Sequence, residues 1–175
     1  VNSYAISASV LSMLDVSVPL YGRGYYPSMG IRTALPDNKE EALSCLYMQT
    51  IVGDSASYKN VIDDFITLYP ESHEGYMSKA EYGAVLLRDF KAAEQSWNMA
   101  FKLAEKPAEV HFGKAKAINT VILDGDSLSH PMLSLRTVLD EIDMAIAAEP
   151  QSLFINGKAD ILFSHGDYAV AAECY

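Results

Sequence analysis

Apolar residues recur along this chain at alternating offsets of three and four. From Phe90 the series runs Ala93, Trp97, Ala100, Leu103; from Leu135 it runs Val138, Ile142, Ala145, Ala148. From Ser55 it runs Tyr58, Ile62, Phe65, Leu68, and from Tyr168 it runs Ala171 and Tyr175. A template of period near ~3.6 makes each segment an amphipathic helix. A second helical pattern precedes three of them, over Tyr76–Leu87, His111–Ile122 and Ile155–Gly166. In these, Ala80, Ala115 and Ala159 stand where a small side chain lets a neighbouring helix approach closely. Turn signals separate the patterns at Gly53, Arg88 and Gly166, and the Asp of each turn is suited to cap a helix N-terminus. Pro70 and Pro150 follow helical runs that they cannot continue.

Counted from the start of each first helix, the units open at Lys39, His73, Ala108 and Ser152, at spacings of 34, 35 and 44 residues. The long third spacing carries extra residues around Asp124–Met132. No unit buries its apolar stripe alone, so such helix pairs must stack. This pattern resembles the tetratricopeptide repeat, with a period of ~34 residues and a sparse aromatic, Ala and Pro signature. The resemblance covers residues 37–175, as units of about 39–72, 73–107, 108–151 with an insertion at 124–132, and an incomplete 152–175. It implies an all-α, right-handed α-solenoid of antiparallel helix pairs, with Trp97, Ile142 and Tyr175 filling the space between successive pairs. Stretches such as "DFKAAE", "AEVHFGKAK" and "LDEIDMAIAAEP" also resemble bacterial multi-repeat tetratricopeptide proteins of the cell envelope. That likeness implies a longer parent with a signal sequence and a periplasmic or envelope setting. By the template the last helix is cut short, leaving Ile161, Ala172 and Tyr175 without a following partner. The expectation is further helices after Tyr175 and self-association through the apolar end.

Residues 1–36 do not fit the repeat. Tyr4–Leu14 has the spacing of a helix, and 16–38 is rich in Gly, Pro and Tyr and reads as loop. Gly22 and Gly24 give a G-x-G, but Pro27 takes the place of the third glycine of a dinucleotide fingerprint, so a structural turn is the reading.

Charge and composition narrow the function. The net charge of −10 argues against nucleic acid and anionic membrane as partners. No run approaches the ~18 apolar residues that would signal a membrane span. Cys45 and Cys174 have no metal spacing and read as buried thiols. His73, His111, His130 and His165 are scattered, and His111 takes the packing slot that Tyr76 and Ile155 take in other units. The run from Asp124 to His130 carries two acids, but Ser129 and Leu135 stand where a calcium loop needs Gly and Glu. No nucleophile has a placed base. No cofactor, metal or catalytic residue is therefore expected.

In tetratricopeptide arrays the first helices line a concave groove. Mapped onto this chain, the groove positions are Tyr47, Met77, Glu81, Phe112, Lys116, Asn119, Asn156 and Asp160, with Leu43, Thr50, Ala84 and Phe163 beside them. Apolar anchors alternate with polar groups, which suits an extended or helical peptide. Members of the family that clamp a C-terminal carboxylate use Lys, Asn and Arg at fixed groove positions. Here those slots read Met77, Glu81, Glu109, Phe112 and Gly113, so that cationic set is absent. The resemblance thus implies a non-catalytic scaffold that binds a protein or peptide. The alternative is an architectural segment whose groove is filled by its own chain.

Overall fold

A computed structural model describes residues 35–52, 55–125 and 130–175. The expected helix over Tyr4–Leu14, the 16–38 loop as far as residue 34, the turn at Gly53 and the middle of the 124–132 insertion lie outside the described residues. Among the described residues the chain is all-helical, without strand. It divides into two compact units, Val1–Ser78 and Lys79–Tyr175.

The first unit is built on α1 (Lys39–Val52) and α2 (Ser55–Leu68), which pack on each other. Asn38 starts α1 because its side-chain oxygen accepts from the backbone N–H groups of Glu40 and Glu41, at 3.0 and 3.2 Å. The α2 stripe forms the core here: Tyr58, Ile62 and Phe65 are buried, along with Val61, and Ala42 and Leu46 are buried on α1. Leu68, the last residue of that series, is 47% exposed instead, at the end of its helix. Tyr69 follows, and its hydroxyl donates to the carbonyls of Pro36 and Asp37, fastening the entry segment. The next helix, α3 (His73–Glu81), starts in this unit. Near its start, Glu74 takes a hydroxyl bond from Ser72 and an ammonium bond from Lys39 at 3.2 Å. Burial pushes the Glu74 carboxyl up, but these bonds, its own backbone N–H and the neighbouring His73 outweigh that and leave it below its ordinary value.

In the second unit α3 passes into a π-helical turn at Tyr82–Leu86. There follow α4 (Phe90–Leu103), α5 (Pro107–Leu123), α6 (Leu135–Ala148), α7 (Ser152–Ser164) and α8 (Tyr168–Cys174). From the π turn to α8, each element packs on the next, and the π turn also packs on α5. The α5 helix opens on Pro107, one residue ahead of the expected Ala108, because a proline in the first turn forfeits no hydrogen bond. Phe90, Ala93, Trp97 and Ala100 on α4, and Val138, Ile142 and Ala145 on α6, are all buried as their stripes require.

The last pair departs from the template. Tyr168 and Tyr175 are 61% and 69% exposed, and Ala171 alone on α8 is buried. Ile161 was expected at an uncovered end, yet it is 4% exposed. It lies seven residues after the buried Phe154, on the core stripe of α7.

The π turn was not expected within the Tyr76–Leu87 pattern. The Leu87 N–H donates to the Tyr82 carbonyl at 3.2 Å, five residues back, and the Asp89 N–H donates to the Gly83 carbonyl at 2.9 Å. Gly83 lies against α4 within this widened turn, with room for a Cβ in ordinary contact. A Cβ there would sit 3.4 Å from the backbone nitrogen of Ala93.

Candidate functional site

The second unit carries an open cleft of about 320 Å³ whose walls are α5 and α7. Its floor is aromatic. The Phe112 ring, on α5, lies 5.0 Å centroid to centroid from the buried Phe154 of α7. Gly157 makes that approach possible: a Cβ there would collide with Cε2 of Phe112 and stand 2.9 Å from its Cζ. Along the α5 wall, Lys116 and Asn119 follow Phe112 at helical spacing; along the α7 wall Asn156 and Asp160 do the same.

The polar groups of these walls are held by neighbours. The Lys116 ammonium sits 5.6 Å from the centroid of the Phe112 ring, within cation–π range. The Asn119 side-chain oxygen lies 2.8 Å from Nε2 of His165 and accepts its N–H, leaving the amide NH₂ available. Asp160 accepts a hydrogen bond from the Tyr175 hydroxyl. That bond keeps the phenol protonated above its ordinary range, with slight burial and the Asp160 charge acting in the same direction. Ser164 lines the cleft, with its hydroxyl donated to the Ile161 carbonyl at 2.7 Å. Glu81, the last residue of α3, was expected in the groove but is not among the residues lining the cleft; it is exposed, yet desolvation of its carboxyl raises it above its ordinary value, and Lys116 pulls the other way with less effect.

The structure therefore gathers Phe112, Lys116, Asn119, Asn156 and Asp160 around one cleft. Tyr47 and Met77 are not among its lining residues; they lie in the first unit, Tyr47 51% exposed and Met77 half-buried. Ala84 is buried inside the π turn. Phe163 points away, 59% exposed and edge-on to Tyr168 at 5.0 Å. Sequence reasoning missed Leu153, Thr120 and Ser164. Each extends a wall by one more helical turn or less, so carrying the same stripe further would have found them.

A second cluster lies on the other side of α5. Glu141 of α6 is 6% exposed and accepts from Nδ1 of His111 at 2.7 Å and from the Lys114 ammonium at 2.5 Å. Lys114 also stands 5.7 Å over the Trp97 ring, and His111 tilts against Phe101 at 4.5 Å. His111 is thus a hydrogen-bonding partner of a buried carboxylate as well as a packing residue. The signal was in the sequence: Val138, Glu141, Ile142 and Ala145 share one helix face, so Glu141 is a carboxylate on a core stripe and requires partners.

Of the 124–132 insertion, both ends are tied down. Arg88 pairs with Asp124 at 2.9 Å, and the His130 ring stacks on Phe90 at 4.8 Å. Among the described residues there is no group of three or more potential metal ligands, and no helix is long and apolar enough to cross a membrane.

Comparison with protein-family models, with curated proteins and with solved structures found no match.

Proposed function

We propose that this chain is a segment of a tetratricopeptide-like solenoid of antiparallel helix pairs. In this reading it is a non-catalytic interaction scaffold that holds a peptide stretch of a partner protein in the α5–α7 cleft. One observation carries the reading. The groove register, drawn from repeat spacing, selects eight residues on four helices, and the five on α5 and α7 line one cleft. The cleft's chemistry supports a peptide occupant. An aromatic floor offers a seat for an apolar side chain, and two carboxamides from opposite walls offer both donors and acceptors to an amide backbone.

The test is selection of a displayed random-peptide library on the immobilised chain, followed by the same selection on Asn119→Ala/Asn156→Ala. The expected outcome is a set of enriched peptides whose binding drops about tenfold or more in the double variant, with its melting midpoint little changed. Enrichment of no peptide, or binding indifferent to both asparagines, would refute the reading.

A further inference from the structure

The charges in the cleft say more about its occupant. This inference rests on the peptide-groove reading above. Lys116 is engaged by the face of Phe112 beneath its ammonium, 5.6 Å from the ring centroid. Lys158, two residues before Asp160 on α7, is drawn away to Asp143 at 2.6 Å. Asp160 differs. It is exposed, it faces the cleft, and the Tyr175 hydroxyl bonded to it is a neutral donor that cancels no charge. The side chains around it in the cleft, Asn156 and Ser164, are neutral too. A carboxylate so placed favours a cation arriving from the cleft, and the net charge of −10 steers cations toward the chain in general.

Geometry sets where the apolar neighbour of that cation falls. Leu153 is 59% exposed and lines the cleft on the same helix as Asp160. Seven helical residues separate them, about 10 Å of axis at ~1.5 Å per residue. A peptide extended in the polyproline II conformation covers that distance in about three residues at ~3.1 Å each, and its three residues per turn return the first and fourth side chains to the same face. We propose that the cleft recognises an extended segment of a partner protein in which Lys or Arg stands three residues from a large apolar side chain. The basic group meets Asp160, and the apolar one lies on Leu153 and Phe112.

The probe is a positional library of acetylated, amidated nonapeptides with Leu fixed and with Arg, Gln or Glu fixed three residues away on either side. It is passed over the immobilised full chain, over Asp160→Asn and over Asp160→Lys, with melting midpoints recorded to show that each is folded. The wild type should retain Arg peptides about fivefold more strongly than Gln peptides, the size expected of a solvent-exposed ion pair, with Glu peptides weakest. Asp160→Asn should remove most of the ranking, leaving only the small part that the net charge supports, and Asp160→Lys should invert it. Peptides retained without a charge ranking, or a ranking undiminished in Asp160→Asn, would overturn this inference while leaving the groove reading intact. If the wild type retains no peptide in any set, the groove reading falls and this one with it.

Discussion

Gly157 is the residue on which the cleft depends. Its missing side chain is where the Phe112 ring lies. In Gly157→Ala the ring must swing aside, since the helix backbone cannot yield as easily. Phe112 is half-buried and has some room to move, so the expected cost is about 1–2 kcal/mol, toward the low end for overpacking. Chemical denaturation measures it, and adding Phe112→Ala should recover most of the loss specific to the collision. Trp97 is the contrasting case, 2% exposed with nowhere to go. Trp97→Ala is expected to cost about 3–5 kcal/mol; a loss under about 1 kcal/mol would contradict its role as a core residue. Glu81 makes a prediction about pH. Its carboxyl is raised in the folded state, so its favourable contribution exists at low pH and is lost as pH climbs through the folded value. Glu81→Gln should therefore melt higher than the wild type at pH 7, with the gap closing below about pH 4, where both carboxyl states are protonated. A variant that melts lower at pH 7 would show that the attraction to Lys116 dominates.

At the scale of elements, what could be read from the sequence was the periodic part. The α4 and α6 stripes are buried where a period of ~3.6 puts them, because burial of a helix face is a repeated, local demand. What escaped is not carried by that period. The π turn at Tyr82–Leu86, seen in the bond from the Leu87 N–H to the Tyr82 carbonyl, is one such feature, since the apolar spacing of the segment does not distinguish it from an α turn. The same holds for Arg88, whose φ of 57° matches the left-handed Gly166 at 84° in the corresponding turn before α8. An arginine gives no hint of that conformation, and its pairing with Asp124 offsets part of the strain. In the cleft, the helical spacing revealed the walls and Phe112 but not its packing on Phe154 and Gly157, which meet it only through tertiary contact. The Glu141 cluster joins α5 to α6 in the same non-local way. Removing a single partner leaves a buried carboxylate short of charge, so Lys114→Met, which keeps the stem over Trp97, should cost about 3 kcal/mol. In a Glu141→Leu background the same substitution should cost far less. Equal costs in the two backgrounds would show that the pair contributes no coupling.

At the scale of the whole chain, acids outnumber bases by 23 to 13. Two opposing electrostatic effects follow. Cross-helix pairs such as Lys39–Glu74 at 3.2 Å and Lys106–Glu149 at 3.3 Å favour the folded state, and salt weakens them. Each has at least one partner open to solvent, so each is worth no more than about 1 kcal/mol. The excess negative charge repels itself in the compact state, and salt relieves that. Lys114–Glu141 sits at 17% and 8% exposure, where ions screen poorly, so it does not tip the balance. With ten charges in excess, relief of repulsion should win. The melting midpoint at pH 7 is therefore expected to rise as salt goes from about 20 mM to about 500 mM, over which the screening length falls from roughly 20 Å to under roughly 5 Å. A midpoint that falls would mean that the local pairs outweigh the net charge. Binding of the basic peptide at Asp160 gains from the same negative field, so salt should weaken it. Stability and the Arg-over-Gln preference should then move in opposite directions along one salt titration. A preference unchanged at high salt, in a protein whose midpoint has risen, would show that the selectivity at the cleft is not electrostatic.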